Sequence, residues 1–163
     1  MIYKIITLDL DPEMIAIALS TFEKFEVTNR VKLIEGPAVE TLKTLHGQFD
    51  IIFIDADKPG YKNYVQLILE RGLLSKNGVI ITDNSTYPLR YSLLFIFIYR
   101  LMSVLARGLV VDNTKKNPYH KEAWRHPIAD AMRDFNDYVK NEPRLETVVL
   151  PLFDGLGLMR LKD

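Results

Sequence analysis

The chain has 163 residues, 48% of them hydrophobic, with 21 basic and 21 acidic side chains and no cysteine. One domain with a real core is expected at this length, and the balanced charge argues against a nucleic-acid or anionic-membrane partner held by bulk electrostatics. Without cysteine there is no disulfide framework and no thiolate metal site, and a cytoplasmic location is the natural expectation.

The first apolar run, Tyr3 to Leu8, ends at Asp9 and predicts a buried strand. Asp11 and Pro12 open a helix, an acid at the cap followed by proline in the first turn. Met14, Ile15, Ala18, Leu19 and Phe22 recur at helical spacing and form its expected inner face. Arg30 to Gly36 predicts a second strand, and Pro37 to Leu45 a second helix, again opened by proline. Phe49 to Asp57 ("FDIIFIDAD") is a third strand, apolar until its acidic end. Tyr61 to Leu74 predicts a third helix and Gly78 to Asn84 a fourth strand. A polar loop runs from Asn113 to Glu122. An amphipathic helix follows from Pro127 to Lys140, with Ala129, Met132, Phe135, Asn136 and Val139 facing inward. Two β runs around Asp154-Gly155 close the chain as a hairpin.

Strand and helix thus alternate, and three of the strands are solid apolar runs. That pattern predicts an α/β fold with a mostly parallel sheet covered on both faces by helices, ending in an antiparallel pair. No repeat or linker divides it, so residues 1–163 read as a single domain. The greasiest segment, Leu89 to Leu101, contains Arg90 and Arg100 and falls short of the ~20 apolar residues of a membrane-spanning helix. The first residues lack the long apolar region and small-residue cleavage site of a signal peptide.

Ligands of open parallel sheets bind beyond the carboxyl ends of the strands. Asp9, then Asp55 and Asp57, then Asp83 with Asn84 all fall at such ends. Neighbouring parallel strands lie ~4.8 Å apart, so carboxylates on two of them can share one ion. Asp55, Asp83 and the amide of Asn84 form an all-oxygen donor set that suits magnesium, manganese or calcium and not zinc. Lys58 lies on the same rim, where a neighbouring cation would favour its neutral form and fit it for a general base; without the metal it reads as a solvated lysine. Asp9, ahead of a proline-opened helix, is placed to bind ribose hydroxyls. Asp11 reads as a helix cap. His46, His120 and His126 fit no metal spacing, and Trp124 reads equally as lid or packing. No glycine-rich phosphate loop occurs anywhere in the chain.

Together "VKLIEGPAVETL", "FDIIFIDADKPGYKNY", "GVIITDN", "VLARGLVVD" and "LPLFDGLGLMRLK" resemble the cation-dependent S-adenosylmethionine O-methyltransferases, the caffeoyl-CoA and catechol O-methyltransferase group. The resemblance implies a Rossmann-like class I methyltransferase fold. It places Asp55, Asp83 and Asn84 on the metal ligands, with Asp55 also bordering the cofactor, and Lys58 on the general-base lysine. It puts Asp9 on the acid that binds the cofactor ribose, and Gly36, Pro37 and Ala38 on the turn beside the adenine. Arg107 falls in the loop that borders the acceptor. The implied cofactors are S-adenosylmethionine and magnesium, the implied substrate a small phenol, and a homodimer is a further family expectation.

Two departures stand out. The family's first strand and its glycine-rich turn have no counterpart here. That strand is central in the family fold, so two half-sheets with unpaired inner edges are expected, and the chain reads as a truncated or mis-started form. The second departure is Ser85 to Ser103: removing it gives "ITDNVLARGLVVD", a good family match, so 85–103 reads as an insertion. The runner-up to an enzyme is a catalytically inactive Rossmann-like fragment acting as a binding module. A dehydrogenase would need the absent loop and leaves Asp55, Lys58, Asp83 and Asn84 unexplained.

Overall fold

The computed structural model describes residues 5–83, 127–150, 152 and 155–163. Asn84, Arg107, the proposed insertion 85–103 and the polar loop 113–122 lie outside the described residues. The elements are β1 (Ile5–Asp9), α1 (Pro12–Lys24), β2 (Val31–Glu35), α2 (Ala38–Thr44), β3 (Phe49–Ile54), a 3-10 turn (Lys58–Gly60), α3 (Tyr61–Glu70), β4 (Leu74–Thr82), α4 (Pro127–Asn141), β5 (Leu145–Leu150) and β6 (Leu156–Leu161). This is the expected α/β order.

The strands form two sheets. β1 pairs in parallel with β2, and a second sheet runs in the order β3-β4-β6-β5. β3 and β4 are parallel, with Ile52 opposite Ile80 and Ile54 opposite Thr82. β6 is antiparallel to both β4 and β5, so the sheet is mixed. The division falls between β1 and β3, and each of these strands has one strand neighbour among the described residues. Helix α2 spans the division: its Leu42 is buried in the main core, with Leu8 of β1 packed against that core.

The core lies on one face of the four-stranded sheet. Ile54, Ile80 and Met159 meet Tyr61, Val65 and Ile68 of α3 and Met132, Phe135 and Val139 of α4. The edge of one ring meets the face of the other between Tyr61 and Phe135, centroids 5.4 Å apart. Each such side chain contributes ~1.5–3 kcal/mol by leaving water. Met132, Phe135 and Val139 match the predicted stripe of α4, while Asn136 is half-buried.

Three expectations need correcting. Full covering of both sheet faces is not found: Ile51 and Phe53 of β3 are 68% and 60% exposed. Alternation explains it, because α3 and α4 both pack on the face that carries Ile52, Ile54 and Ile80. Of the expected inner stripe of α1 only Ile15 is buried; Ala18 and Phe22 are half-buried and Met14 and Leu19 exposed, since α1 has only the narrow β1-β2 pair to cover. The third helix stops at Glu70, and β4 starts at Leu74 and not Gly78. Gly72 adopts φ +63°, and the Leu73 and Gly72 amides donate to the carbonyls of Ile68 and Leu69, the Schellman arrangement that ends helices at a left-handed glycine.

Candidate active site

The expected site residues fall into two groups, each at the carboxyl end of a parallel strand pair. In the first, Asp9 ends β1 and Gly36 follows β2. The Gly36 amide donates to the Asp9 carbonyl at 2.9 Å, which closes the two strand ends together. Asp9 Oδ1 accepts the amides of Leu10 at 2.7 Å and Asp11 at 3.0 Å. These bonds fix the carboxylate at the mouth of the turn. Asp11 caps α1 as expected, its Oδ1 accepting from Glu13 at 2.9 Å and Met14 at 3.4 Å. Pro37 is the N-cap of α2 and Ala38 its first residue. The Pro37 carbonyl accepts both the Thr41 amide and the Thr41 hydroxyl.

The second group is built around β3. Asp55 follows the last residue of the strand, and Lys58 opens the 3-10 turn. Lys58 Nζ donates to Asp55 Oδ1 at 3.0 Å and to the Tyr61 hydroxyl at 2.7 Å. Its side chain is only 10% exposed against 46% for Asp55, which rules out a solvated surface lysine. Tyr61, fully buried, donates its own proton to the Ile54 carbonyl at 3.1 Å. That carbonyl also accepts the Asp83 amide at 3.2 Å. One backbone oxygen thus ties the end of β3, the residue after β4 and the first turn of α3 together. Burial first, then the negative charges of Asp55 and Asp83, push the Tyr61 phenol far above its ordinary range, so it remains protonated.

Asp57, the second acid of the strand end, has a different task. The Tyr64 hydroxyl donates to its Oδ1, and its backbone carbonyl accepts the Gly60 amide at 3.0 Å. Burial, then the Asp57 hydrogen bond, hold the Tyr64 phenol well above its usual range. The first acid therefore faces the rim and the second holds the turn. Sequence reasoning gave no role to Tyr61 or Tyr64. The signals were available, since Lys58 and Tyr61 are three residues apart where a 3-10 turn eclipses its side chains. His46 is exposed, as expected, and the other two histidines lie outside the described residues.

The donor chemistry suits a hard divalent cation. Asp55 and Asp83 follow directly on the adjacent, in-register strands β3 and β4, and carboxylate oxygens are the ligands such ions prefer. No group of three or more His, Cys, Asp or Glu that could hold a metal occurs among the described residues. No helix among the described residues is long and apolar enough to cross a membrane.

Known proteins share sequence and fold with this chain. A profile of the O-methyltransferase family matches residues 3–89. The chain is 39% identical over 156 residues to O-methyltransferase hkm8 of Aspergillus hancockii, covering 94% of this chain and 60% of that protein. It is 30% identical over 163 residues to caffeoyl-CoA O-methyltransferase 5 of Nicotiana tabacum, covering 96% of this chain and 58% of that one. The crystal structure of the SAH-bound methyltransferase PaMTH1 of Podospora anserina superposes with a TM-score of 0.73 at 40% identity, over 98% of this chain and 61% of that structure. The chain thus spans about three fifths of the length of these relatives. With its family profile and its solved neighbours in agreement, the chain belongs to the O-methyltransferase family, in a Rossmann-like α/β fold.

Proposed function

We propose that the chain carries the acceptor side of an S-adenosylmethionine- and divalent-metal-dependent O-methyltransferase for a phenolic, catechol-like small molecule. The observation that carries this reading is the largely buried Lys58, held between Asp55 and Tyr61 beside the residue that follows β4. The SAH in the Podospora neighbour and the caffeoyl-CoA in the tobacco relative's name support the cofactor and the acceptor class.

Lys58 takes the proton of the acceptor hydroxyl at Nζ. S-adenosylmethionine, when bound, would supply the methyl group that the deprotonated oxygen takes, sulfur keeping the electron pair of the broken carbon–sulfur bond. Asp55 and Asp83, with Asn84, would hold the cation, which when bound stabilises a phenolate. Asp9 would receive the ribose hydroxyls, with Gly36, Pro37 and Ala38 beside the adenine. Arg107 would border the acceptor.

Calorimetry with S-adenosylmethionine and magnesium, with a methyl-transfer assay on a catechol, tests the reading. Lys58→Met should lower kcat by ~10²–10⁴-fold, the usual worth of a general base, and leave the cofactor heat intact. Unchanged turnover in that variant removes Lys58 from the mechanism. A second reading, a non-catalytic Rossmann-like binding fragment, draws on the division of the sheet between β1 and β3. Absence of both heat and turnover in the unaltered chain would favour it.

A further inference from the structure

We propose that Tyr61 is the positioning residue of Lys58, holding its amine in place for the acceptor; this rests on the reading of Lys58 as the base. A lysine ammonium has three donors on a flexible stem. Two of them have fixed acceptors here, Tyr61 Oη at 2.7 Å and Asp55 Oδ1 at 3.0 Å. Together the two bonds hold the amine between a buried phenol and the rim carboxylate.

The phenol is itself clamped. It donates to the Ile54 carbonyl at 3.1 Å, so its own proton is committed and its oxygen faces Lys58 as an acceptor. Its ring is 0% exposed and wedged edge-on against Phe135. A side chain with two torsions, locked by packing, is a better anchor than a rim carboxylate that is 46% exposed. The Ile54 carbonyl also receives the Asp83 amide. Tyr61 therefore references the base to both strand ends that carry the acids. The neighbouring Tyr64 serves as an internal contrast, because its hydroxyl goes to Asp57 and not to Lys58.

The test is competitive acetylation of the native chain with dilute acetic anhydride, read peptide by peptide by mass spectrometry. Lys58 should be slower than the exposed Lys43, Lys62 and Lys76. In Tyr61→Phe, which keeps the ring, Lys58 should react ~10-fold faster against those same references, as expected for an amine freed from a buried partner. In Tyr64→Phe its relative rate should not change. General unfolding would accelerate all lysines together, so only a selective change counts in favour. A Lys58 as fast as the references in the unaltered chain, or unmoved by Tyr61→Phe, overturns the proposal. In the methyl-transfer assay, Tyr61→Phe should lower kcat ~10–100-fold with KM unchanged, the mark of a group that matters only in the transition state. Turnover lost in Lys58→Met but kept in Tyr61→Phe refutes the positioning role alone; turnover kept in Lys58→Met refutes the base.

Discussion

Gly60→Ala should destabilise the protein, although the backbone would welcome it. Gly60 has φ −78° and ψ −19°, a right-handed helical conformation. Alanine adopts it freely and gains up to ~1 kcal/mol of helix propensity over glycine in a helix interior, less at a cap. The side chains decide otherwise. A methyl group there would sit 2.6 Å from both Cζ and Oη of Tyr64 and 2.7 Å from Asp57 Oδ2. The Tyr64 ring is only 6% exposed, so it has no free space to swing into. Relief requires shifting the first turn of α3 or breaking the Tyr64–Asp57 hydrogen bond. Overpacking of this kind costs ~1–3 kcal/mol, and a hydrogen bond to a charged group is worth ~1.5–3 kcal/mol. The net expectation is a loss of ~0.5–2.5 kcal/mol after a propensity gain of about 0.5 kcal/mol at the cap. Urea unfolding of the unaltered chain, Gly60→Ala, Tyr64→Leu and the double variant measures it. In the Tyr64→Leu background the phenol is gone and the Asp57 carboxylate, released from it, can turn away from the methyl group, so Gly60→Ala should become neutral or slightly stabilising. The coupling between the two positions should then be ~1–3 kcal/mol. Equal effects of Gly60→Ala in both backgrounds, or a more stable single variant, would refute the reasoning.

Two further expectations follow from other parts of the molecule. Glu142 is 8% exposed and accepts from Arg144 Nε at 2.7 Å, Arg144 Nη2 at 3.0 Å and the Tyr138 hydroxyl at 3.0 Å. Arg144 above all holds its carboxyl down to about 2, against the opposing effect of burial, while the Tyr138 phenol is pushed up to about 12 by burial and by Glu142. A depressed carboxyl stabilises the fold fully above its ordinary pKa of 4.5 and loses that contribution as pH falls through about 2. Glu142→Gln should therefore narrow its stability deficit on acidification, and a deficit independent of pH would contradict the assignment. Gly72→Ala places a side chain at φ +63°, so thermal unfolding should show a loss of ~1–2 kcal/mol, the cost of a left-handed non-glycine residue.

The strand–helix alternation was legible because apolar runs and proline-opened helices carry their own signals. The acids at the strand ends were legible as positions, since a charge directly after a buried apolar run marks where the strand leaves the core. Gly72 was readable as a stop signal, yet the apolar Leu73 and Leu74 continued the helical pattern and masked it. The exposure of Met14 and Leu19 was not readable, since their spacing is right and only the width of the β1-β2 pair leaves them bare. The different tasks of Asp55 and Asp57 depend on which tyrosine of α3 each faces, a relation that exists only after the turn at Lys58–Gly60 has folded.

The divided sheet has a consequence for cooperativity. Backbone ladders normally weld the strands of an α/β domain into one unfolding unit, but β1-β2 and β3-β4-β6-β5 share none. Among the described residues they are joined through the apolar side of α2, so opening of the smaller sheet need not disturb the larger. Asp9 stands on one unit and Lys58 with the other. A ligand touching both would act as a thermodynamic staple, converting two separately fraying units into one. Hydrogen exchange in β1 and β2 would then report its arrival more sensitively than exchange in the core.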